Sequence, residues 1–201
     1  MNKIATLVCL ILACISTGFK DADEYKFAFI ERFYPVALEE MKRTNIPASV
    51  KLAQAIVETD FGTSRLSQST NNYFGIKCKN TWQGPTFQME DDDRDKNGNL
   101  IKSCFRVYDS AEASFIDHSE FLRNRSYYSG LFKLDVSDYK AWALGIKACG
   151  YATNPKYAER LIETIETYEL YRYDVRQIQP SVETVQSLIL ESQINKVETQ
   201  K

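Results

Sequence analysis

Residues 46–77 read IPASVKLAQAIVETDFGTSRLSQSTNNYFGIK, and the fold turns on how this stretch is understood. Pro47 suits a first helical position, because its missing N–H would be unpaired there in any case. Val50, Ala53, Ile56 and Val57 then recur at helical spacing and predict a core-facing side for a helix over 46–61. Gln54 and Glu58, four residues apart, are neighbours one turn along it. A carboxylate set among Ala55, Ile56, Val57 and Phe61 is partly desolvated. Burial disfavours its charged form and raises its pKa, as a general acid working near neutrality requires. Gly62 is placed to end the helix and Thr63-Ser64 to cap a short one after it. Asn71-Asn72-Tyr73-Phe74-Gly75 combines amides with aromatic faces, a mixture suited to a sugar's hydroxyl edge and apolar face. Taken alone, Glu58 reads more readily as an ordinary helix glutamate paired with Arg65.

The wider string changes that balance. AQAIVETDFGTSRLSQSTNNYFGIK resembles the helix–loop segment of glycoside hydrolase family 73, whose pattern is roughly LAQAxxESxxGxSxLAxxxNNxFGIK. These are bacterial N-acetylglucosaminidases that cut peptidoglycan, among them the glucosaminidase domain of flagellar peptidoglycan hydrolases. A second segment, GYATNPKYA at 150–158, is similar to the family's GYATDPxYAxKL signature, and FRVYDS at 105–110 to its strand. The resemblance runs from about Phe27 to Tyr173. It implies an α+β, lysozyme-like fold: a mainly helical lobe with a small β-hairpin lobe across a substrate groove. It also implies Glu58 as catalytic acid and Tyr151 as the tyrosine that helps position the sugar or stabilise the transition state. Asn154 stands where the family more often has Asp, which keeps a helix cap and removes a charge. Gln54, Asn72, Phe74 and Tyr157 are expected to contact substrate. Trp82 either stacks on a sugar ring or packs structurally.

Hydrolysing a glycosidic bond usually takes two carboxyl groups. The acidic run at 90–93 is the obvious source of the second, with Glu90 the nearest family counterpart and Asp92 or Asp93 as alternatives. An assisting N-acetyl group of the substrate would make a second carboxylate unnecessary. The alternation of Asp91, Asp93 and Asp95 invites a calcium reading, but the rest of an EF-hand loop is missing. No metal or cofactor is therefore expected. His118, the single histidine, lacks a Ser or Cys nucleophile with a matching motif and reads as structural.

The 201 residues allow one domain of ordinary size, and the net charge of −2 gives no reason to expect nucleic acid. The opening MNKIATLVCLILACISTGFK carries Lys3, then an apolar run too short to span a bilayer, then small residues near Ser16–Gly18. It reads as a secretory signal over 1–18. Ile11-Leu12-Ala13-Cys14 is an imperfect lipobox, so a lipidated Cys14 anchoring the chain to a membrane is the alternative ending. The domain is expected over 22–174, followed by a polar tail over 175–201, in an exported monomer acting on peptidoglycan glycan strands. Export permits disulfides, and Cys78 and Cys104 bracket the hairpin as a plausible pair, leaving Cys149 over.

Along the rest of the chain, Phe27, Ile30, Phe33, Val36, Ala37 and Met41 predict helix over 21–45, with Pro35 splitting or kinking it. Asn97-Gly98 marks the hairpin turn. Helices follow over about 110–124 (apolar side Ala113, Phe115, Ile116, Phe121, Leu122), 138–149 behind a Ser137 cap, and 155–171. The rival readings are a lytic transglycosylase or muramidase on the same polymer, or a non-catalytic peptidoglycan-binding protein.

Overall fold

The computed structural model describes the backbone of residues 3–79 and 82–175, with side chains for 24–79, 82–91 and 93–174. The side chains of the leader, including Cys14, and the whole of the tail beyond 175 lie outside the described residues. Helices α1 (Lys3–Thr44), α2 (Ala48–Thr59) and α3 (Arg65–Thr70) precede strands β1 (Thr86–Arg94) and β2 (Leu100–Arg106). Then come α4 (Ala111–Arg123), a 3₁₀ helix (Ser126–Lys133), α5 (Tyr139–Ala148), α6 (Tyr157–Thr167) and α7 (Tyr171–Val175).

α2 is the hub. Its residues from Ala48 to Ile56 are all buried, polar ones included, because α1, α5, α6 and α7 surround it. A helix expected to bury one face is thus covered on every side, and its polar side chains need internal partners. Ser49 gives its backbone N–H and its hydroxyl to the two oxygens of Asp174 in α7, at 2.9 and 2.5 Å. Lys51 Nζ donates to the Phe115 carbonyl at 3.0 Å and sits 3.2 Å from His118 Nδ1. Around these, Phe33, Ile46, Leu52, Phe115, Trp142 and Leu161 fill the core.

Several expectations need correcting. Pro35 lies inside one continuous α1 and does not divide it, since buried Phe33, Ala37 and Met41 hold both flanks against the core. Phe27 and Ile116 are exposed: Phe29 and the pair Ser114–Phe115 take the core-facing positions instead. Asp138, rather than Ser137, caps α5 by accepting from Ala141 N at 2.9 Å. The helix expected to 171 stops at Thr167, and Glu169 at φ 51° turns the chain into α7.

The β-lobe is an antiparallel hairpin pairing Thr86 with Arg106 and Glu90 with Lys102, with a register irregularity between Glu90 and Arg94. The acidic run therefore lies on a strand and not in the turn. The turn itself is Asp95–Asn99, where Asp95 Oδ1 accepts from the N–H groups of Asn97 and Asn99. Lys77 bridges to Phe105 beside the hairpin, and Cys78 is disulfide-bonded to Cys104 with their Cα atoms 5.4 Å apart.

Candidate active site

Glu58 stands in the last turn of α2, and the way that helix ends decides what the side chain faces. Asp60, Phe61 and Gly62 follow at φ 48°, 55° and 77°, three left-handed residues in a row. Such a conformation costs a non-glycine residue on the order of 1 kcal/mol, so packing must hold it. The Phe61 ring does so, edge-on against Tyr25, Phe29 and Tyr168. Gly62 is required on two counts: its positive φ, and a Cβ there would meet Phe29 and Tyr73 ring carbons at 3.2 Å. The Gly62 N–H donates to Thr59 Oγ1 at 2.8 Å, and Ser64 caps α3. The reversal leaves Glu58 uncovered on one side only.

On that side is a groove of about 950 Å³ between the helical lobe and the hairpin. Glu58, Tyr151 and Tyr157 line one wall, and Lys77, Asp91 and Asp93 the other. Tyr157 donates its hydroxyl to Glu58 Oε1 at 2.7 Å and accepts from Gln54 Nε2 at 3.2 Å. Burial pushes the Glu58 pKa up, and the Asp91 charge adds to this; the Tyr157 hydrogen bond and the Arg160 charge pull the other way. The net effect is upward, so the carboxyl holds its proton to higher pH than an ordinary glutamate.

The two tyrosines divide the work differently from the expectation. Tyr157 touches Glu58, while Tyr151 donates to the Phe74 carbonyl at 3.3 Å and lies nearly parallel to the Tyr157 ring, centroids 5.7 Å apart. Burial raises both phenol pKa values well above the usual range, with the Glu58 charge as the second cause. Both therefore stay neutral hydrogen-bond donors. Tyr157 is itself largely buried, but it lines the groove wall, and its hydroxyl, held between Gln54 and Glu58, supports the acid.

Gln54 and Asn72, by contrast, are fully buried and absent from the groove lining, which corrects their reading as substrate contacts. Asn72 Nδ2 donates to the carbonyls of Ile76 and Arg106, and its Oδ1 accepts from the N–H groups of Phe74 and Ile76. It pins the 73–76 loop to β2. Phe74 does line the groove, its ring stacked on the buried His118 at 4.0 Å. Trp82 lies outside the groove lining: the Arg106 guanidinium covers its ring at 4.8 Å, its Nε1 donates to Pro85 O, and Tyr108 meets it edge-on.

Strand alternation settles which hairpin acids face the groove. Asp91 and Asp93 line it, and Lys77 Nζ binds both at 2.9 and 2.7 Å. Lys77 and the Ser103 hydroxyl hold the Asp93 carboxyl below its usual range. Glu90 is exposed, paired across the ladder with Lys102 and absent from the groove wall, which corrects its reading as the second carboxylate. The side chain of Asp92 lies outside the described residues. Asp93, one of the expected alternatives, thus lines the groove, and so does Asp91, which the sequence reading does not single out as a second carboxylate; its period-two spacing from Asp93 is the available signal.

Comparison with known proteins agrees with this geometry. Residues 34–170 match the family model described as mannosyl-glycoprotein endo-beta-N-acetylglucosaminidase. The exo-glucosaminidase LytG of Bacillus subtilis is 33% identical over 175 residues, 85% of this chain and 60% of that protein. The peptidoglycan hydrolase FlgJ of Vibrio cholerae is 28% identical over 73% of this chain and 46% of its own length. The chain thus spans about half to three-fifths of these relatives. The crystal structure of a peptidoglycan hydrolase mutant from Sphingomonas sp. A1 superposes with a TM-score of 0.62 at 28% identity, covering 73% of this chain and 96% of that one. The fold is the lysozyme-like α+β arrangement of these enzymes, and the chain belongs to the glucosaminidase family, glycoside hydrolase family 73.

Proposed function

We propose that this chain is a peptidoglycan hydrolase that cleaves the β-1,4 bond on the reducing side of N-acetylglucosamine within glycan strands. The observation that carries the reading is Glu58, desolvated at the edge of an open groove and held by Tyr157 at 2.7 Å. Glu58 gives its proton to the glycosidic oxygen as the bond to the anomeric carbon breaks. Water adds to that carbon, and Asp91 on the facing wall, held in place by Lys77 Nζ at 2.9 Å, takes the water's proton. Tyr151 and the Phe74 backbone shape the wall that receives the sugar. No cofactor enters the scheme. Export to the cell envelope, by cleavage near Gly18 or by lipidation at Cys14, fits the apolar leader and the Cys78–Cys104 disulfide.

The test is mass spectrometry of soluble fragments from purified peptidoglycan, digested with the native protein and with Glu58→Gln. Reducing-end N-acetylglucosamine from the native protein alone is expected. Reducing or anhydro N-acetylmuramic acid would transfer the protein to a muramidase or transglycosylase reading. Absence of fragments from a folded, wall-bound protein would leave a binding module.

A further inference from the structure

A second cavity, of about 390 Å³, opens beside the groove, and its lining includes Asp60, Phe61, Arg160, Glu163, Thr164 and Tyr168. Val57 and Arg160 line both spaces, so the cavity branches from the groove next to Glu58 and runs along the outer face of α6. The catalytic scheme makes no use of it.

Its chemistry does not suit another sugar. A sugar needs an open aromatic face, but Lys26 Nζ sits over the Phe61 ring 5.9 Å from its centroid. The ring is also boxed edge-on by Tyr25, Phe29 and Tyr168. What the cavity offers is charge of both signs, from Arg160 against Asp60 and Glu163, together with Thr164 and Thr167. That set suits a short peptide bearing carboxylates and an amine.

Substrate chemistry says where such a peptide would lie. In the proposed cleavage, Glu58 protonates the O4 atom of the leaving muramic acid. The peptide stem of that sugar leaves through its O3 lactyl group, on the neighbouring ring carbon. A stem attached one carbon from the protonated oxygen must exit the groove close to Glu58, and the branch at Arg160 is there. We infer that this side cavity is a subsite for the peptide stem of the leaving sugar, with Arg160 meeting its carboxylates and Asp60 or Glu163 its amine. The inference rests on the proposed cleavage and adds stem recognition to it.

The experiment compares soluble glycan strands carrying stems with the same strands stripped by an amidase. Thr164→Trp and Thr167→Trp fill the cavity from exposed or half-exposed positions without touching Glu58 or its partners. The native protein is expected to prefer stem-bearing strands. In each folded variant the ratio of kcat/KM for stem-bearing over stripped strands should fall about tenfold, through KM and not kcat. A native ratio near one, or an unchanged ratio in both variants with melting curves like the native protein's, overturns the subsite. Failure of the native protein to cleave either substrate would overturn the hydrolase reading instead.

Discussion

The Tyr157 hydroxyl lies 2.7 Å from Glu58 Oε1 and joins two sequence motifs separated by 99 residues. Gln54 donates to the same hydroxyl from one turn before Glu58, so the phenolic hydrogen is aimed at the carboxylate. The bond favours the ionised acid and opposes the rise caused by burial. Tyr157→Phe removes it, so the Glu58 pKa should climb further. A general acid loses activity as pH rises through its pKa, so the alkaline limb of the kcat/KM profile should move to higher pH. The plateau should fall about tenfold for the lost hydrogen bond. An alkaline limb that stays in place would separate Tyr157 from the acid.

Asp91 acts on Glu58 with the opposite sign. Its negative charge across the groove raises the pKa of the acid. Asp91→Asn should move the alkaline limb to lower pH while reducing the rate about 10²- to 10⁴-fold, the loss typical of a missing general base. Glu90→Gln, on the outer side of the same strand, should leave both the rate and the limb unchanged. Equal rates for Asp91→Asn and the native enzyme would instead favour assistance by the substrate's own N-acetyl group.

The helix carrying Glu58 and the Asn97-Gly98 turn are legible in the sequence because each depends on local signals, whereas the cleft between two lobes is an expectation that comes from the family resemblance. Misreadings arise where tertiary placement decides. Gln54 and Glu58 share a helix face by spacing, yet burial of α2 on all sides gives Gln54 to Tyr157 and leaves the groove to Glu58. The acid run was visible, but which of its members face inward depends on the ladder register, which shifts between Glu90 and Arg94. Tyr151 and Tyr157 lie in one motif, and composition cannot say which reaches the acid. That is fixed by α6 starting at Tyr157, after Asn154 Oδ1 accepts from Lys156 N at 2.9 Å.

The Cys78–Cys104 bond closes a loop with a sequence separation of 26 that contains the whole of β1 and the turn. In the chain-entropy model a loop of that length stabilises the fold by about 3 kcal/mol. The double variant Cys78→Ser, Cys104→Ser should therefore melt roughly 10 °C lower by calorimetry. Cys149 lies outside this loop, with its Sγ 3.1 Å from the Tyr127 carbonyl, so Cys149→Ser serves as the control and should leave the shift unreproduced.

Lys51 predicts a dependence of stability on pH. It is fully buried between the Phe115 carbonyl and His118, and its pKa is pushed down to about 7. Burial is the main cause. Arg43 reinforces it, and the charges of Glu40 and Glu120 oppose it. His118, buried beside it with its own pKa depressed, stays neutral. In the unfolded chain the lysine keeps its proton to well above pH 9. Between pH 7 and the unfolded value the unfolded state thus binds more protons, and stability should rise with pH by at most about 1.4 kcal/mol per unit. Below pH 7 both states are protonated, and the folded one bears the full cost of a buried charge. Urea midpoints at pH 7.5 and 9.0 should show the rise in the native protein and lose it in Lys51→Met. That variant should be less stable at pH 9.0 by about 1–3 kcal/mol, because the Phe115 carbonyl and His118 Nδ1 lose their donor. The same slope in both proteins would assign the pH dependence to another group.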